Sequence, residues 1–399
     1  MYWEYNAIWI FAFIFYNKQQ TFSRETFYLG GKRKKEKNGV LVCGAYGMKN
    51  AGDEAVLDAI LAEMRSIDPE MPVTVLSRDP AETRASHGVP AIHTFDLFGF
   101  LRAMRRSALY LNGGGSLIQD VTSSRSLWYY LYTLYAAKKR GCAVMMYGCG
   151  VGPVDRPRNR RLAGRVIDRY VDAITLRDSE SLDTLRALGV TKPEISVAAE
   201  PALSLESAPE HEIDALFEKC GLEKEKRYFC VCVRRWPDMK QKLPIFAAAA
   251  DYAYERHGLT PLLLSVNRQQ DDDEVRRLRE KVTVPCAAVT EPMNTGQVIG
   301  FLARMDAVLA MRLHALILAA GRAVPTVGVS YDPKVQGFLD ELGLNNYVDY
   351  DALADVSQLC PLIDAAAHAD RALLQSATER IRAAERRNTD TARKLLEKS

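Results

Sequence analysis

One stretch, residues 306–339, constrains the fold of this chain more than any other. It opens with an apolar run over 306–311, which is typical of a buried parallel strand. A helix rich in Ala and Leu follows over 315–320, and a second apolar strand follows over 325–330. We expect Gly321 to end the helix in the left-handed conformation, which glycine adopts without steric cost. Strand, helix and strand in this order indicate a parallel α/β sheet.

Polar side chains stand directly after both strands of this stretch. Arg312 and His314 follow the first strand, and Tyr331 and Lys334 follow the second. Ligands bind outside the carboxyl ends of the strands in open α/β sheets, so these groups should face one crevice. Such a set suits a small, strongly anionic substrate. A purely structural role for His314 stays open, although the neighbouring arginine favours a functional one.

The rest of the chain continues the alternation of strand and helix. The pattern predicts a Rossmann-like domain over 39–200, a polar linker over 201–226 and a second Rossmann-like domain over 227–362. A long, charged helix is predicted for the C-terminal segment, 363–399. The predicted fold class is therefore α/β, with two doubly wound parallel-sheet domains that face a cleft.

The first 38 residues differ in composition from the remainder. Residues 7–16 are apolar and aromatic, but a bilayer span takes about 20 residues, so this segment is too short to cross a membrane. A basic run over 32–37 follows it. Two interpretations stay open. In the first, the segment is a disordered leader, or results from an upstream start that is not the natural one; in the second, it is a peripheral anchor on anionic lipid.

Charge and cysteine content exclude some functions. The net charge of +3 gives no argument for a nucleic-acid partner, and we expect none. The eight cysteines are scattered, without a CxxC pair or a metal-type cluster with histidine. This spacing favours core thiols in a reducing compartment over disulfides or a metal site.

A glycine-containing loop over 44–54 connects the first strand to its helix. It resembles a P-loop superficially, but Asp53 and Glu54 stand where a P-loop carries its lysine and hydroxyl residue. Carboxylates would repel a triphosphate, whereas they can accept hydrogen bonds from sugar hydroxyls, and one can act as a general base. The alternative is that Asp53 only caps the helix.

A second glycine-rich turn follows another strand at Gly114 and Gly115, with Ser116 next. Glycines let a ligand approach the backbone closely, and exposed amides can hold an anion or a sugar. Asp120 and Arg125 add polar groups, and Arg125 suits a phosphate. The alternative is a tight turn that leads into a capped helix.

Two arginines, Arg234 and Arg235, follow the first strand of the second predicted domain. Arginine binds carboxylate or phosphate through two parallel hydrogen bonds. Because adjacent residues point to opposite sides of a strand end, we expect one of the two to face the site.

The motifs together resemble one family. They are GAYGMKNAGDEAVL, NGGGSLIQD with TSSRSLWYYL, GCGVGP, and MRLHALILAA with VGVSYDPKV. In combination they are similar to the polysaccharide pyruvyl transferases, and most of all to the bacterial cell-wall type called CsaB. The resemblance covers residues 40–350 and includes the triplet Arg312-Leu313-His314.

The resemblance implies a GT-B-like fold and a reaction. Phosphoenolpyruvate, the donor substrate, would give its pyruvyl group to two sugar hydroxyls as a ketal and release phosphate, with no cofactor and no metal. The acceptor would be a lipid-linked or polymeric cell-wall precursor, typically an N-acetylmannosamine unit, at the cytoplasmic face of the membrane. The product would help to anchor surface-layer proteins.

This reaction suits the residues singled out above. Donor binding needs several cations, which Arg312, Lys334 and one of the paired arginines can supply. His314 is the candidate acid, and the candidate bases are Asp53, Glu54 and Asp120. Two other functions compete with this one: a nucleotide-sugar glycosyltransferase or sugar epimerase of the same architecture, and a non-catalytic scaffold of envelope assembly.

Overall fold

A computed structural model describes residues 37–48 and 50–398, which form two compact units. The first unit holds the described residues up to Pro201 and the C-terminal segment from Ala384, and the second holds Ala202–Ala383. The predicted leader lies outside the described residues, apart from Lys37 and Asn38. In the described part of the chain, no helix is both long and apolar enough to cross a membrane.

The first unit is built on a parallel sheet of seven strands, in the order β3-β2-β1-β4-β5-β6-β7. The strands are β1 (Gly39–Cys43), β2 (Val73–Ser77), β3 (Ala91–His93), β4 (Ser107–Gly113), β5 (Ala143–Cys149), β6 (Ala173–Leu176) and β7 (Glu194–Val197). The helices between them are α1 (Ala51–Ile67), α2 (Pro80–His87), α3 (Leu97–Met104), α4 (Ser124–Lys139), α5 (Pro157–Tyr170) and α6 (Ser179–Ala187).

Alternate apolar side chains bury both faces of this sheet. Leu41 and Tyr110 lie in the core that α3, α4, α5 and α6 cover. Val40 and Val42 point the other way, into a core shared with α1. The period of two along each strand thus produces a sheet between two helical layers.

The second unit repeats this plan with six parallel strands, in the order β10-β9-β8-β11-β12-β13. The strands are β8 (Tyr228–Cys232), β9 (Thr260–Leu264), β10 (Ala287–Val289), β11 (Ala307–Ala310), β12 (Thr326–Ser330) and β13 (Tyr347–Asp349). The helices are α7 (Glu210–Lys219), α8 (Met239–His257), α9 (Arg268–Arg279), α10 (Thr295–Ala303), α11 (Leu313–Ala320), α12 (Pro333–Glu341), α13 (Cys360–Ala367) and α14 (Arg371–Glu385). Short 3₁₀ turns lie at Pro201–Ser204 and Val356–Gln358.

The segment predicted as a linker, 201–226, folds as part of the second unit from Ala202 onwards. Helix α7 forms there and buries Ile213 and Phe217. The ring of Phe217 lies 4.9 Å from that of Phe301, between centroids. The two apolar residues on one side of this helix are enough to pack it against the rest of the second unit, so the polar composition of the segment did not make it a linker.

The C-terminal segment, predicted as one helix over 363–399, contains three helices. Helix α13 ends before Asp370, whose carboxylate accepts a hydrogen bond from the backbone N–H of Ala372 and so starts α14. After Arg386 the chain continues as α15 (Arg387–Glu397), which belongs to the first unit and buries Ala392 in its core. An aspartate that caps a helix start was misread as part of a continuous charged helix.

The predicted left-handed conformation of Gly321 is wrong. Gly321 is right-handed, with φ −57°, and the left-handed residue is Ala323, with φ 53°. Glycine is instead favoured at position 321 because there is little space for a side chain. A Cβ atom there would lie 3.2 Å from the carbonyl oxygen of Leu203 and 3.3 Å from that of Ile317.

Candidate functional site

Each sheet reverses its strand order between two central strands, β1 and β4 in the first unit and β8 and β11 in the second. Ligands of doubly wound sheets bind at this point, outside the carboxyl ends of the strands. Most of the predicted residues follow these four strands or lie in the first turn of the next helix. The two units therefore carry one candidate site each.

In the first unit, Asp53 lies half-buried in the first turn of α1. The helix cap is Asn50, whose side-chain oxygen accepts a hydrogen bond from the N–H of Gly52, so Asp53 is not the cap. The side-chain amide of Asn50 also donates to Asp53 Oδ2 over 2.6 Å. Burial raises the pKa of Asp53 to about 6, against the Asn50 hydrogen bond that lowers it, and the charges of Glu54 and Glu200 raise it further. A carboxyl of this kind can accept a proton near neutral pH.

Glu54 has a different role from its neighbour. Its Oε1 accepts a hydrogen bond from the backbone N–H of Gly47 (2.8 Å), and its Oε2 lies 3.0 Å from His87 Nε2. The second nitrogen of His87 lies 2.7 Å from Asp58 Oδ1, one turn further along α1. Burial lowers the pKa of His87, but the hydrogen bonds to Asp58 and Glu54 outweigh it and raise the pKa to about 9. Glu54 thus fixes the glycine loop, which leaves Asp53 as the better candidate base.

The glycine turn after β4 lies beside Asp53. Gly114 and Gly115 have φ of +71° and +62°, in the left-handed region that favours glycine. A Cβ atom on Gly114 would lie 2.1 Å from Val56 Cγ1, and one on Gly115 would lie 3.5 Å from Asp53 Oδ1. The turn therefore brings bare backbone next to the candidate base.

Ser116 leads to two charged residues that the sequence analysis missed. Arg177, after β6, donates to Ser116 Oγ (3.3 Å) and to Glu200 Oε2 (2.8 Å). Both charges are buried, with Arg177 9% and Glu200 3% exposed, and Glu200 Oε1 has no hydrogen-bond partner among the described residues. The charges of Arg177 and Glu200 both act on the pKa of Asp53. In the sequence, Arg177 could have been recognised as a site residue from its position directly after the strand β6.

Asp120 does not fit the predicted role of base. Its carboxylate is 3% exposed and accepts hydrogen bonds from the backbone N–H groups of Asp155 (2.9 Å) and Arg156 (3.1 Å) and from Asn159 Nδ2 (2.8 Å). Burial raises its pKa, but these hydrogen bonds outweigh it and hold the pKa below the usual range. Asp120 therefore fixes the loop between β5 and α5. Arg125 is exposed in the first turn of α4.

In the second unit, Arg234 follows β8 and lies over two aromatic rings. Its guanidinium carbon is 4.4 Å from the ring centroid of Tyr331 and 4.9 Å from that of Trp236. Arginine stacks well on such faces. Arg235 is exposed, so the structure brings Arg234 together with Tyr331, and Trp236 is an addition to the predicted set.

Arg312, at the start of α11, is held by a carboxylate. Its Nε donates to Asp271 Oδ2 (3.0 Å) and one terminal nitrogen donates to Asp271 Oδ1 (2.5 Å) and to Gln270 Oε1 (3.0 Å). Asp271 is fully buried. Burial raises its pKa above the usual range, although the hydrogen bond and charge of Arg312 and, more weakly, the charge of Arg234 offset part of this effect. Asp271, in the first turn of α9, was not among the predicted site residues.

His314 and Lys334 complete this set. His314 is half-buried in the first turn of α11, two residues after Arg312. Lys334 lies in the first turn of α12, with Nζ 3.9 Å from Oδ2 of Asp332, the residue that caps the helix. The ends of β8, β11 and β12 therefore carry the positively charged residues Arg234, Arg312 and Lys334.

Known structures define the class of fold, which is GT-B-like, as the sequence predicted. HepE from Anabaena, solved with UDP-glucose, is 12% identical, with a TM-score of 0.58 over 88% of this chain and 99% of its own. The UDP-GlcNAc 2-epimerase from Methanocaldococcus jannaschii is also 12% identical, with a TM-score of 0.61 over 86% of this chain and 98% of its own. At such identities the similarity concerns the fold and not the activity.

The family follows from the sequence. The profile of the polysaccharide pyruvyl transferases matches residues 50–333, and the chain therefore belongs to this family of enzymes. The amylovoran biosynthesis protein AmsJ from Erwinia amylovora is 21% identical, over 76% of this chain and 86% of its own. The predicted family is thereby confirmed.

Proposed function

We propose that this enzyme transfers the pyruvyl group of phosphoenolpyruvate to two hydroxyls of a sugar as a ketal. The observation that carries the proposal is the concentration of Arg234, Arg312 and Lys334 at the strand ends of the second unit, in a chain that belongs to the pyruvyl transferases. Phosphoenolpyruvate carries a carboxylate and a phosphate on three carbons, so its binding needs several cations close together.

The second unit binds the donor in this proposal. Arg312 is oriented by two hydrogen bonds to Asp271, which fixes the plane of its guanidinium. Arg234 is oriented by stacking on Tyr331 and Trp236. Arginines fixed beforehand lose less conformational entropy when an anion binds.

The reaction needs one proton delivered and two removed. A proton is added to the methylene carbon of phosphoenolpyruvate, and the first sugar hydroxyl attacks the adjacent carbon as it loses its proton to a base. The bond between that carbon and the phosphate oxygen then breaks, with its electron pair leaving on the phosphate. The second hydroxyl attacks the same carbon, closes the ketal, and gives its proton to the departing phosphate.

Two residues take the proton-transfer roles. His314, beside Arg312, is the proposed acid. Asp53 is the proposed base, since burial raises its pKa to about 6 and the backbone of Gly115 lies beside its carboxylate. Each such group contributes about 10²–10⁴-fold to the rate. The first unit is thus assigned to the acceptor.

The acceptor that we propose is an N-acetylmannosamine unit of a lipid-linked cell-wall polysaccharide precursor, at the cytoplasmic face of the membrane. The similarity of the motifs to the cell-wall type, CsaB, supports this choice. Pyruvylation of that unit would serve the anchoring of surface-layer proteins.

Release of inorganic phosphate from phosphoenolpyruvate tests the proposal. The purified enzyme is supplied with the donor, with or without an aryl-linked or lipid-linked N-acetylmannosamine acceptor. We expect phosphate release that depends on the acceptor, together with a gain in acceptor mass equal to one pyruvyl ketal. Release of UDP from a UDP-sugar, without phosphate release from phosphoenolpyruvate, would instead establish a glycosyltransferase or epimerase.

A further inference from the structure

Helices α3, α4 and α5 of the first unit lie on the same face of the sheet. Their buried residues, such as Phe100, Leu131 and Val166, belong to one core. The outward residues of the three helices therefore share one side of this unit. We call this side the basic face and define it by residues 97–106, 124–140 and 157–170.

The basic face is far more positive than the rest of the chain. It contains twelve Lys and Arg residues and one acidic residue, although the net charge of the whole chain is +3. The acidic residue, Asp168, accepts hydrogen bonds from the backbone N–H groups of Thr191 and Lys192. Charge of one sign collected on one side of a domain attracts an extended anionic partner.

Many of these charges are available to a partner. Arg102, Arg105 and Arg106 are exposed and form no ion pair with the described residues, and Arg158 and Arg161 of α5 are exposed as well. Arg102, Arg105 and Arg106 therefore keep their charge available to an anionic partner from outside the unit.

One apolar side chain stands among these arginines. Phe98 is 84% exposed, and its helix buries Phe100 and Met104 instead. Arg102 and Arg105 are four and seven residues further on, so all three lie on one stripe of α3. A duplex nucleic acid, whose bases are already stacked, gains little from an exposed phenyl ring, whereas a bilayer offers anionic head groups and an apolar interior next to them.

The chain enters the first unit at this face. Lys37 ends the basic run of the sequence, and its Nζ donates a hydrogen bond to the carbonyl oxygen of Arg140 at the end of α4, over 2.6 Å. Lys37 therefore adds one positive charge next to the end of α4, at the edge of the basic face.

We infer that the basic face docks the enzyme on an anionic bilayer, with Phe98 inserted among the lipids and the arginines around it on the head groups. This inference extends the proposed function, because an acceptor that is lipid-linked has to be reached at a membrane surface. Its test uses vesicles without substrate, so docking and pyruvyl transfer can fail independently.

The test is binding of the full chain to phosphatidylcholine vesicles with and without phosphatidylglycerol, followed by sedimentation. We expect binding only to the anionic vesicles. Combined substitution of Arg102→Glu, Arg105→Glu and Arg106→Glu should weaken it by about 100-fold or more, since each basic residue near such a surface contributes about 1 kcal/mol, or five-fold. Phe98→Ser should weaken it by about 10-fold, from the loss of one buried aromatic ring.

A matched control changes the net charge equally at another place. Arg256→Glu, Arg279→Glu and Lys281→Glu alter three exposed residues of the second unit, and this variant should bind like the wild type. Thermal unfolding of every variant confirms that the fold is kept. The inference is overturned if reversal of the three arginines leaves vesicle binding intact, which would assign it to the segment before Lys37. It is also overturned if Phe98→Ser has no effect while duplex DNA binds as tightly as the vesicles, which would indicate a nucleic-acid surface.

Discussion

Asp53 is half-buried and Asp120 is buried, and their different surroundings give them different roles. Asp53 accepts one hydrogen bond, from Asn50, and has its pKa raised to about 6 mainly by burial. Asp120 accepts three hydrogen bonds and has its pKa held low. A base has to be free to take a proton, whereas a carboxylate with three donors is already used for structure.

We expect Asp53→Asn to lower kcat by about 10²–10⁴-fold, the usual contribution of a general base. In the wild type, kcat should rise with pH through a midpoint near 6, because the base acts when deprotonated, and this limb should be lost in the variant. Asp120→Asn should instead lower the unfolding temperature. A normal pH profile in Asp53→Asn would remove Asp53 from the chemistry.

The ion pair of Arg312 and Asp271 should determine how tightly the donor binds. Arg312→Ala should raise the donor KM by about 100-fold, because loss of a charge partner in a desolvated site costs about 2–5 kcal/mol. Asp271→Asn should raise it less, since the guanidinium remains but loses its bidentate partner. Arg279→Ala, an exposed change on the same helix as Asp271, serves as control. Unchanged donor saturation in Arg312→Ala would exclude it as an anion clamp.

At the scale of elements, His87 joins helices α1 and α2. It is 6% exposed at the end of α2 and lies between two carboxylates of α1, Glu54 and Asp58. Glu54 in turn holds the N–H of Gly47 in the glycine loop. The geometry of the loop next to the candidate base therefore depends on the charge of a histidine.

The pKa of His87 is raised to about 9, from an ordinary 6.5, so its ion pairs stabilise the fold fully below about pH 6.5 and lose this effect as the pH rises through 9. We expect the free energy of unfolding to fall by about 2–3 kcal/mol between pH 7 and pH 10 because of this group. His87→Gln should be less stable at pH 7 and lack this pH dependence, whereas the exposed His211→Gln should behave as wild type. Urea unfolding at the two pH values measures both. Equal slopes in His87→Gln and wild type would contradict this assignment.

The helices, strands and glycine turns that position the sites follow from sequence periodicity, and two doubly wound parallel sheets were predicted, but the strand order within each sheet was not. The contacts that tune the sites were not predicted either. His87 meets Glu54 across 33 residues, and Arg312 meets Asp271 across 41. Such pairs depend on how each helix lies against its neighbour, which the period of a single segment does not encode. Strands β3 and β13 have three residues each, too few for an alternating pattern to be visible.

At the scale of the whole chain, the first unit is completed by the last residues of the sequence. Helix α15 contributes Ala392 to its core. The residues before that helix bring Glu385, which is 2% exposed, against Glu63 of α1. Thr389 Oγ1 donates to the same Glu63 carboxylate over 2.6 Å. Two carboxyl groups that meet out of water have to share a proton.

Burial raises the pKa of Glu63, and the hydrogen bond and charge of Glu385 raise it further. A carboxyl with a raised pKa binds more protons in the folded than in the unfolded chain, so stability should fall as the pH rises above about 4.5, the ordinary value for Glu. We expect Glu63→Gln, which donates a permanent N–H to Glu385, to be more stable than the wild type at pH 8 and to lose this advantage at pH 5. The control is Glu70→Gln, an exposed change near the end of α1. Thermal unfolding at both pH values tests this prediction. Equal destabilisation of Glu63→Gln at pH 5 and pH 8 would mean that the two carboxyls do not share a proton.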